Sequence, residues 1–365
     1  MNDIKYRKFS IENTNLCKGI AICLMITHHL FWNIPDIGYK IGGVALSQRI
    51  GIIGKVCVSI YLILSGIGIY ESTKDSTNLS RISNNKILKL YFNYIFIVFT
   101  SLIIGIIFFK EELISMLPGK TGIFKVILTF TGLQYIIGYQ GFNEAWWFIS
   151  VIILCYFMYP KILKYIKVYK YKFLFICFLL TFLECIDINR IKLFNIISWS
   201  FPFIIGVYIS EANILIRFKK YINKKYIGKI AIVLLLILAL YVRQEMEPQG
   251  ILSIRLDYIL ALIIIIDTYI FLNLNNKISK FIIYLGQHSM NIFYVHMFVS
   301  NYYLSDVIYG LKHPITMFLF TLFISLLWSI ALNQLKKIIK FNYYINKIIN
   351  NFYLNKRVKS KKSIV

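Results

Sequence analysis

Acidic residues are scarce: 16 Asp and Glu stand against 41 Lys and Arg in 365 residues, leaving a formal charge of +25. That surplus does not point to nucleic acid, because no known binding motif and no basic helix face gathers it. The lysines fall between apolar runs and in the C-terminal tail, where positive-inside topology and anionic lipid account for them. Cysteine is sparse and unpatterned. Its six positions, 17, 23, 57, 155, 177 and 185, lie mostly in apolar runs with no C-x-x-C spacing. This argues against a zinc or disulfide framework and leaves small core residues. The first apolar run lacks a convincing small-x-small cleavage site and leads into further runs, so it reads as a retained helix rather than a signal peptide. No internal repeat suggests an inverted-repeat transporter, and no appended soluble domain is expected.

What is abundant is apolar. The chain is 58% hydrophobic with a mean hydropathy of +0.67, the profile of an all-α polytopic membrane protein. The runs place about ten transmembrane helices near residues 16–34, 56–69, 90–109, 145–159, 173–188, 194–209, 230–242, 251–272, 281–304 and 315–335. The polar stretch 71–89 reads as an inner loop. Glu184, Asp187, Arg190 and Lys192 are expected outside the fifth span. A weaker run, 123–137, is expected to be a short re-entrant or interfacial segment. Were it to cross, the ladder Lys161, Lys164, Lys167, Lys170 and Lys172 would lie outside, against the positive-inside rule. Ten spans put both termini in the cytoplasm. The division is then a cytoplasmic N-terminal segment (1–15), a transmembrane domain (16–335) and a basic cytoplasmic tail (336–365).

Chemistry concentrates in a few stretches. Lys18-Gly19-Ile20-Ala21 opens an apolar helix that ends in His28-His29. Lys18 and His29 are eleven residues apart, so they lie within about 20° of each other on one face and roughly 16 Å apart along the axis. That is about half a bilayer core. His28 points about 80° away from Lys18. An intramembrane histidine is a functional candidate, and the alternative is a histidine hydrogen-bonded within the bundle. Ile60-Tyr61-Leu62-Ile63-Leu64-Ser65-Gly66 ends in small residues that let helices approach. Lys86 and Lys89, three apart, can offer two cations on one face or simply anchor a helix end. Trp146-Trp147-Phe148 opens the fourth span, and two adjacent tryptophans at a span end suit an interfacial aromatic belt. Gly286-Gln287-His288-Ser289 through Tyr294-Val295-His296 carries a second intramembrane histidine.

Together these stretches resemble the integral-membrane acyltransferase 3 family of bacterial O-acetyltransferases acting on surface polysaccharide, lipopolysaccharide and peptidoglycan. The resemblance rests on Lys18-Gly19-Ile20-Ala21 with His29 eleven residues on, and on the run ending Leu64-Ser65-Gly66. It rests also on Trp147-Phe148 and on Gly286-x-x-Ser289 with Tyr294-Val295-His296. Lys86-x-x-Lys89 stands where the family has an Arg-x-x-Arg pair, so charge is kept without the bidentate fork. The resemblance implies a multi-pass protein of the bacterial plasma membrane. It would move an acyl group, usually acetyl, from cytoplasmic acyl-CoA to a hydroxyl of a cell-envelope glycan or lipid-linked sugar. It implies no bound cofactor and no metal, with acetyl-CoA or another acyl-CoA as co-substrate. By similarity His29 is the catalytic residue, as general base or transient acyl carrier. Lys18, Lys86 and Lys89 would hold the anionic donor, and Ser65, Trp147 and His296 would line the cavity. Glu144 is a candidate for orienting a histidine. The competing reading is a transporter or flippase for a lipid-linked sugar, with His29, Asp267 and His296 binding substrate or relaying protons; a third is a non-catalytic membrane partner.

Overall fold

A computed structural model describes residues 9–33, 37–117, 119–139, 141–185, 193–224, 226–246 and 250–362. Residues 1–8 of the expected N-terminal segment, residues 363–365 of the tail, and Asp187, Arg190 and Lys192 lie outside these. Among the described residues the chain is almost wholly helical. A two-stranded hairpin, β1 (Lys40–Ile41) and β2 (Val44–Ala45), is the sheet structure present.

The elements follow the order of the runs, with different edges. α1 (Ile11–Phe31) begins at a capping box. Ser10 Oγ accepts from the Asn13 backbone N–H at 3.2 Å, and Asn13 Oδ1 accepts from the Ser10 N–H at 3.0 Å; this satisfies donors left over at the helix start. α2 (Leu46–Gly54) and α3 (Cys57–Thr73) form one long rod, so the expected second span starts ten residues earlier in the structure. α4 (Leu79–Phe108) starts where the Asn78 side chain accepts from the Arg81 N–H at 3.0 Å. The expected inner loop through residue 89 is therefore corrected from Leu79 on: Lys86 and Lys89 sit inside a helix, not at its margin.

α5 (Lys110–Met116) and α6 (Gly119–Thr131) follow. At thirteen residues α6 reaches about 20 Å, short of a hydrocarbon core of roughly 30 Å. α7 (Trp147–Tyr169) carries Pro160, and α8 (Tyr171–Leu180) has ten residues, about 15 Å, before a 3-10 turn, Thr181–Cys185. Then come α9 (Leu193–Glu211), α10 (Ile214–Lys224), α11 (Tyr226–Glu245), α12 (Ile251–Phe271) and α13 (Lys277–Met297). α14 (Ser305–Gly310), α15 (Pro314–Ile338) and α16 (Phe341–Lys362) complete the chain, so the basic tail is helical through Lys362.

Among the described residues, five helical stretches are long and apolar enough to cross a bilayer: 46–73, 79–108, 144–169, 227–245 and 314–338. Two bent helix pairs, 110–131 and 194–222, raise the number to seven. α1, α12 and α13, each of 21 residues, fall outside this set. The reason is chemical: they carry Lys18, His28 and His29, then Arg255, Asp257 and Asp267, then His288 and His296. The helices least like lipid solvents are those packed inward.

Glycine sets the closest crossings. A Cβ on Gly19 would lie 2.0 Å from the Ile282 carbonyl oxygen of α13, and one on Gly286 would lie 1.8 Å from the Asn15 oxygen of α1. The same occurs between α3 and α9, where Gly66 faces Phe203 O at 2.2 Å and Gly206 faces Ile63 O at 2.1 Å. Small residues that let backbones touch are how helices pack when lipid offers no hydrophobic drive. Gly286→Ala is expected to push α13 off α1 and cost at least about 1–3 kcal/mol, as overpacking does. A variant with the wild-type unfolding midpoint in detergent would show that this crossing is not close in the folded protein.

Candidate functional site

A cavity of about 450 Å³ lies between α1, α3, α7, α9 and α13. α1 presents Lys18 at one end and His28 and His29 further along, as an eleven-residue spacing requires. α3 contributes Tyr61 and Ser65, α7 Trp147 and Phe148, α13 Ser289 and Phe293. The Tyr61 hydroxyl donates to the Lys18 carbonyl at 3.2 Å, tying α3 to α1 at the lysine end.

His29 is half-buried on the cavity wall. Behind it stands His296, with ring centroids 4.9 Å apart. His296 is fully buried and does not line the cavity, which corrects its expected place there. Its Nδ1 is 2.8 Å from the Phe293 carbonyl oxygen. A carbonyl only accepts, so Nδ1 carries the proton and Nε2 keeps its lone pair. Nε2 has no hydrogen-bond partner among the described residues. The site thus pairs one imidazole open to the cavity with a second of fixed tautomer and an unused acceptor. His28 lies differently: Nδ1 is 2.8 Å from the Gly51 carbonyl oxygen and the ring stacks on Trp32 at 5.8 Å.

The far end of the cavity is aromatic and polar. The Trp147 ring lies 5.3 Å from Trp199 and 5.4 Å from Tyr135. The Tyr135 hydroxyl donates to Asn195 Oδ1 at 2.5 Å, Asn195 Nδ2 donates to Glu184 Oε1 at 2.5 Å, and Arg255 Nη1 donates to Glu184 Oε2 at 2.9 Å. Tyr135, Asn195 and Glu184 all line the cavity, and Lys55 Nζ sits 5.8 Å from the Trp199 ring. Arg255 also donates to the Thr181 carbonyl. Two residues beyond Arg255, Asp257 Oδ1 pairs with Arg243 Nε at 2.7 Å with no solvent exposure.

Lys86 and Lys89 do not line this cavity. They line a second one of about 560 Å³ that shares Leu90, Tyr156 and Met290 with the first. Lys86 Nζ donates to the Gly68 carbonyl at 3.2 Å. Glu144 is exposed, and its backbone N–H donates to the Tyr302 hydroxyl at 3.2 Å. Among the described residues no hydrogen bond or ion pair joins its side chain to a histidine, so the structure gives no support to the expected orienting role.

A family model described as an acyltransferase domain matches residues 11–334, nearly the whole chain. The chain belongs to that acyltransferase family. No curated protein and no solved structure matches it. In this membrane acyltransferase the matched region ends inside α15, so α16 lies beyond it.

The sequence did not reveal the polar end of the acyltransferase cavity. Glu184 was expected outside its span, and Lys55, Asn195 and Trp199 carried no signal. The available hint was Arg255 with Asp257 two residues on, inside an apolar run. Charges at that depth need partners, and the acid that answers Arg255 is Glu184.

Proposed function

We propose that the protein is an O-acyltransferase that moves an acyl group, acetyl first among them, from cytoplasmic acyl-CoA to a hydroxyl of a cell-envelope glycan or lipid-linked sugar. The observation that carries this reading is one continuous cavity with a cation at one end, an imidazole along it, and an aromatic and carboxylate-lined far end. Lys18, with Lys86 and Lys89 in the adjoining cavity, suits the anionic donor. Trp147, Trp199 and Tyr135 suit the apolar faces of a sugar, and Glu184 and Asn195 suit its hydroxyls.

In this reading the neutral imidazole of His29 takes the proton of the acceptor hydroxyl as its oxygen attacks the thioester carbonyl. The C–S bond breaks, and the imidazolium returns the proton to the departing thiolate. His296 is a positioning residue: its Nε2 lone pair can accept from a ring N–H of His29 and so hold one tautomer. A single cavity brings donor and acceptor to the same imidazole, so direct transfer needs no carrier.

The topology belongs to the same proposal. α1, α12 and α13 are each about 31 Å long at 1.5 Å per residue, enough to cross. With α2–α3, α4, α7, α8 and its 3-10 turn, α9, α11 and α15, they make ten crossings with both termini cytoplasmic in a bacterial plasma membrane.

The test is transfer of radiolabel from acetyl-CoA by membranes that contain the protein and a glycan extract. Label in the glycan fraction, released by mild base as an ester is, supports the proposal. Translocation of a lipid-linked sugar with no label incorporated would replace it with the flippase reading.

A further inference from the structure

α16 lies outside the family match, yet it is built into the lysine end of the molecule. Its own Ile345 and Ile349, one turn apart, are buried. The Tyr353 hydroxyl donates to the Arg81 carbonyl at 3.4 Å, and the Arg81 guanidinium lies 4.9 Å from the Tyr353 ring. These contacts lay the helix across the start of α4.

The face beside the buried isoleucines is not packed. Asn342 and Asn346, four residues apart and so on one side of the helix, line the second cavity opposite Lys86 and Lys89. Asn342 also lines a third cavity of about 440 Å³, with Lys336, Lys337 and Lys340. Lys336 stands between the two, its Nζ held by Asn93 Oδ1 at 2.5 Å and Asn291 Oδ1 at 3.0 Å. Among the described residues, no acidic residue lines either cavity. Several cations and two side-chain amides lining these cavities, without a carboxylate among the described residues, form a site for an anion with several oxygens, such as a phosphate ester.

We propose that α16 completes the donor site, and that Asn342 and Asn346 hold the phosphate-bearing nucleotide of an acyl-CoA against the lysines of α4. The inference rests on the acyl-CoA reading and adds the part of the chain that grips the donor's distal end. Geometry supports it twice. The second cavity lies beside the first, with Leu90, Tyr156 and Met290 lining both. Lys18 and His29 are roughly 16 Å apart along α1, and the extended pantetheine arm is of that order, so a thioester at His29 leaves the nucleotide about as far away as Lys18. The same phosphate chemistry could come from an anionic lipid headgroup, and the experiment separates the two.

The full-length protein is reconstituted in phosphatidylcholine vesicles, and binding of coenzyme A, adenosine 3′,5′-bisphosphate and pantetheine is measured. The nucleotide is expected to compete with coenzyme A. Asn342→Ala with Asn346→Ala should weaken both by about tenfold or more, the worth of about one hydrogen bond to a charged acceptor, and leave pantetheine unchanged. Asn342→Gln with Asn346→Gln, which keeps the amides, should bind more tightly than the alanine pair, and equal unfolding midpoints check the fold. Wild-type affinity for coenzyme A in the alanine pair overturns the proposal. So does selective loss of phosphatidylglycerol binding with coenzyme A unaffected, which would make this a headgroup site. Failure of the underlying reading looks different: the wild type then binds none of the three probes.

Discussion

His29→Ala is expected to lower acyl transfer by about 10²–10⁴-fold, the range a positioned general base supplies, while the protein still inserts and folds. His28→Ala should lose far less. The two residues are adjacent, share the cavity wall and have the same chemistry, so this pair of variants separates position from residue type. His28 is bonded through Nδ1 to the Gly51 carbonyl at 2.8 Å and stacked on Trp32. His29 has its ring against His296 and its edge toward the cavity. The measurement is label transferred from acetyl-CoA per folded molecule, at matched expression. If both variants transfer label like the wild type, the imidazole of α1 does not act as the base. His296→Gln gives a graded result between the two alanine variants if that ring positions His29, because a glutamine amide restores only part of its hydrogen bonding.

The lysine end of this site was readable from sequence because its information is local. The eleven-residue spacing from Lys18 to His29 fixes a shared helix face whatever surrounds it. Gly19 and Gly286 are likewise local marks, each required where one backbone meets another. The start of α4 was misplaced because Arg81, Lys86 and Lys89 read as loop polarity, although Asn78 is an ordinary N-cap. The far end of the cavity was illegible for a different reason. Glu184, Asn195 and Arg255 come from three elements, and their meeting is written in no single spacing. A charge near the end of an apolar run looks the same whether it leaves the membrane or finds a partner within it.

Arg243 and Asp257 give the second large effect. Both are fully buried, and their 2.7 Å contact joins the end of α11 to the start of α12. α11 is otherwise a helix that faces outward along most of its length. Arg243→Met would leave the Asp257 carboxylate buried without its guanidinium, and the expected loss is about 3–5 kcal/mol of stability. Adding Asp257→Leu removes the stranded charge and should recover most of that loss, because the cost lies in the unpaired group rather than in the absent bond. Unfolding midpoints of the two single variants and the double variant close the cycle. A single variant as stable as the wild type would show that Asp257 is satisfied without Arg243. The double variant also carries functional information. Asp257 is two residues from Arg255, whose guanidinium holds Glu184 in the cavity wall. If the double variant is stable but transfers acyl groups poorly, the buried pair sets the rotation of α12 on which that wall depends.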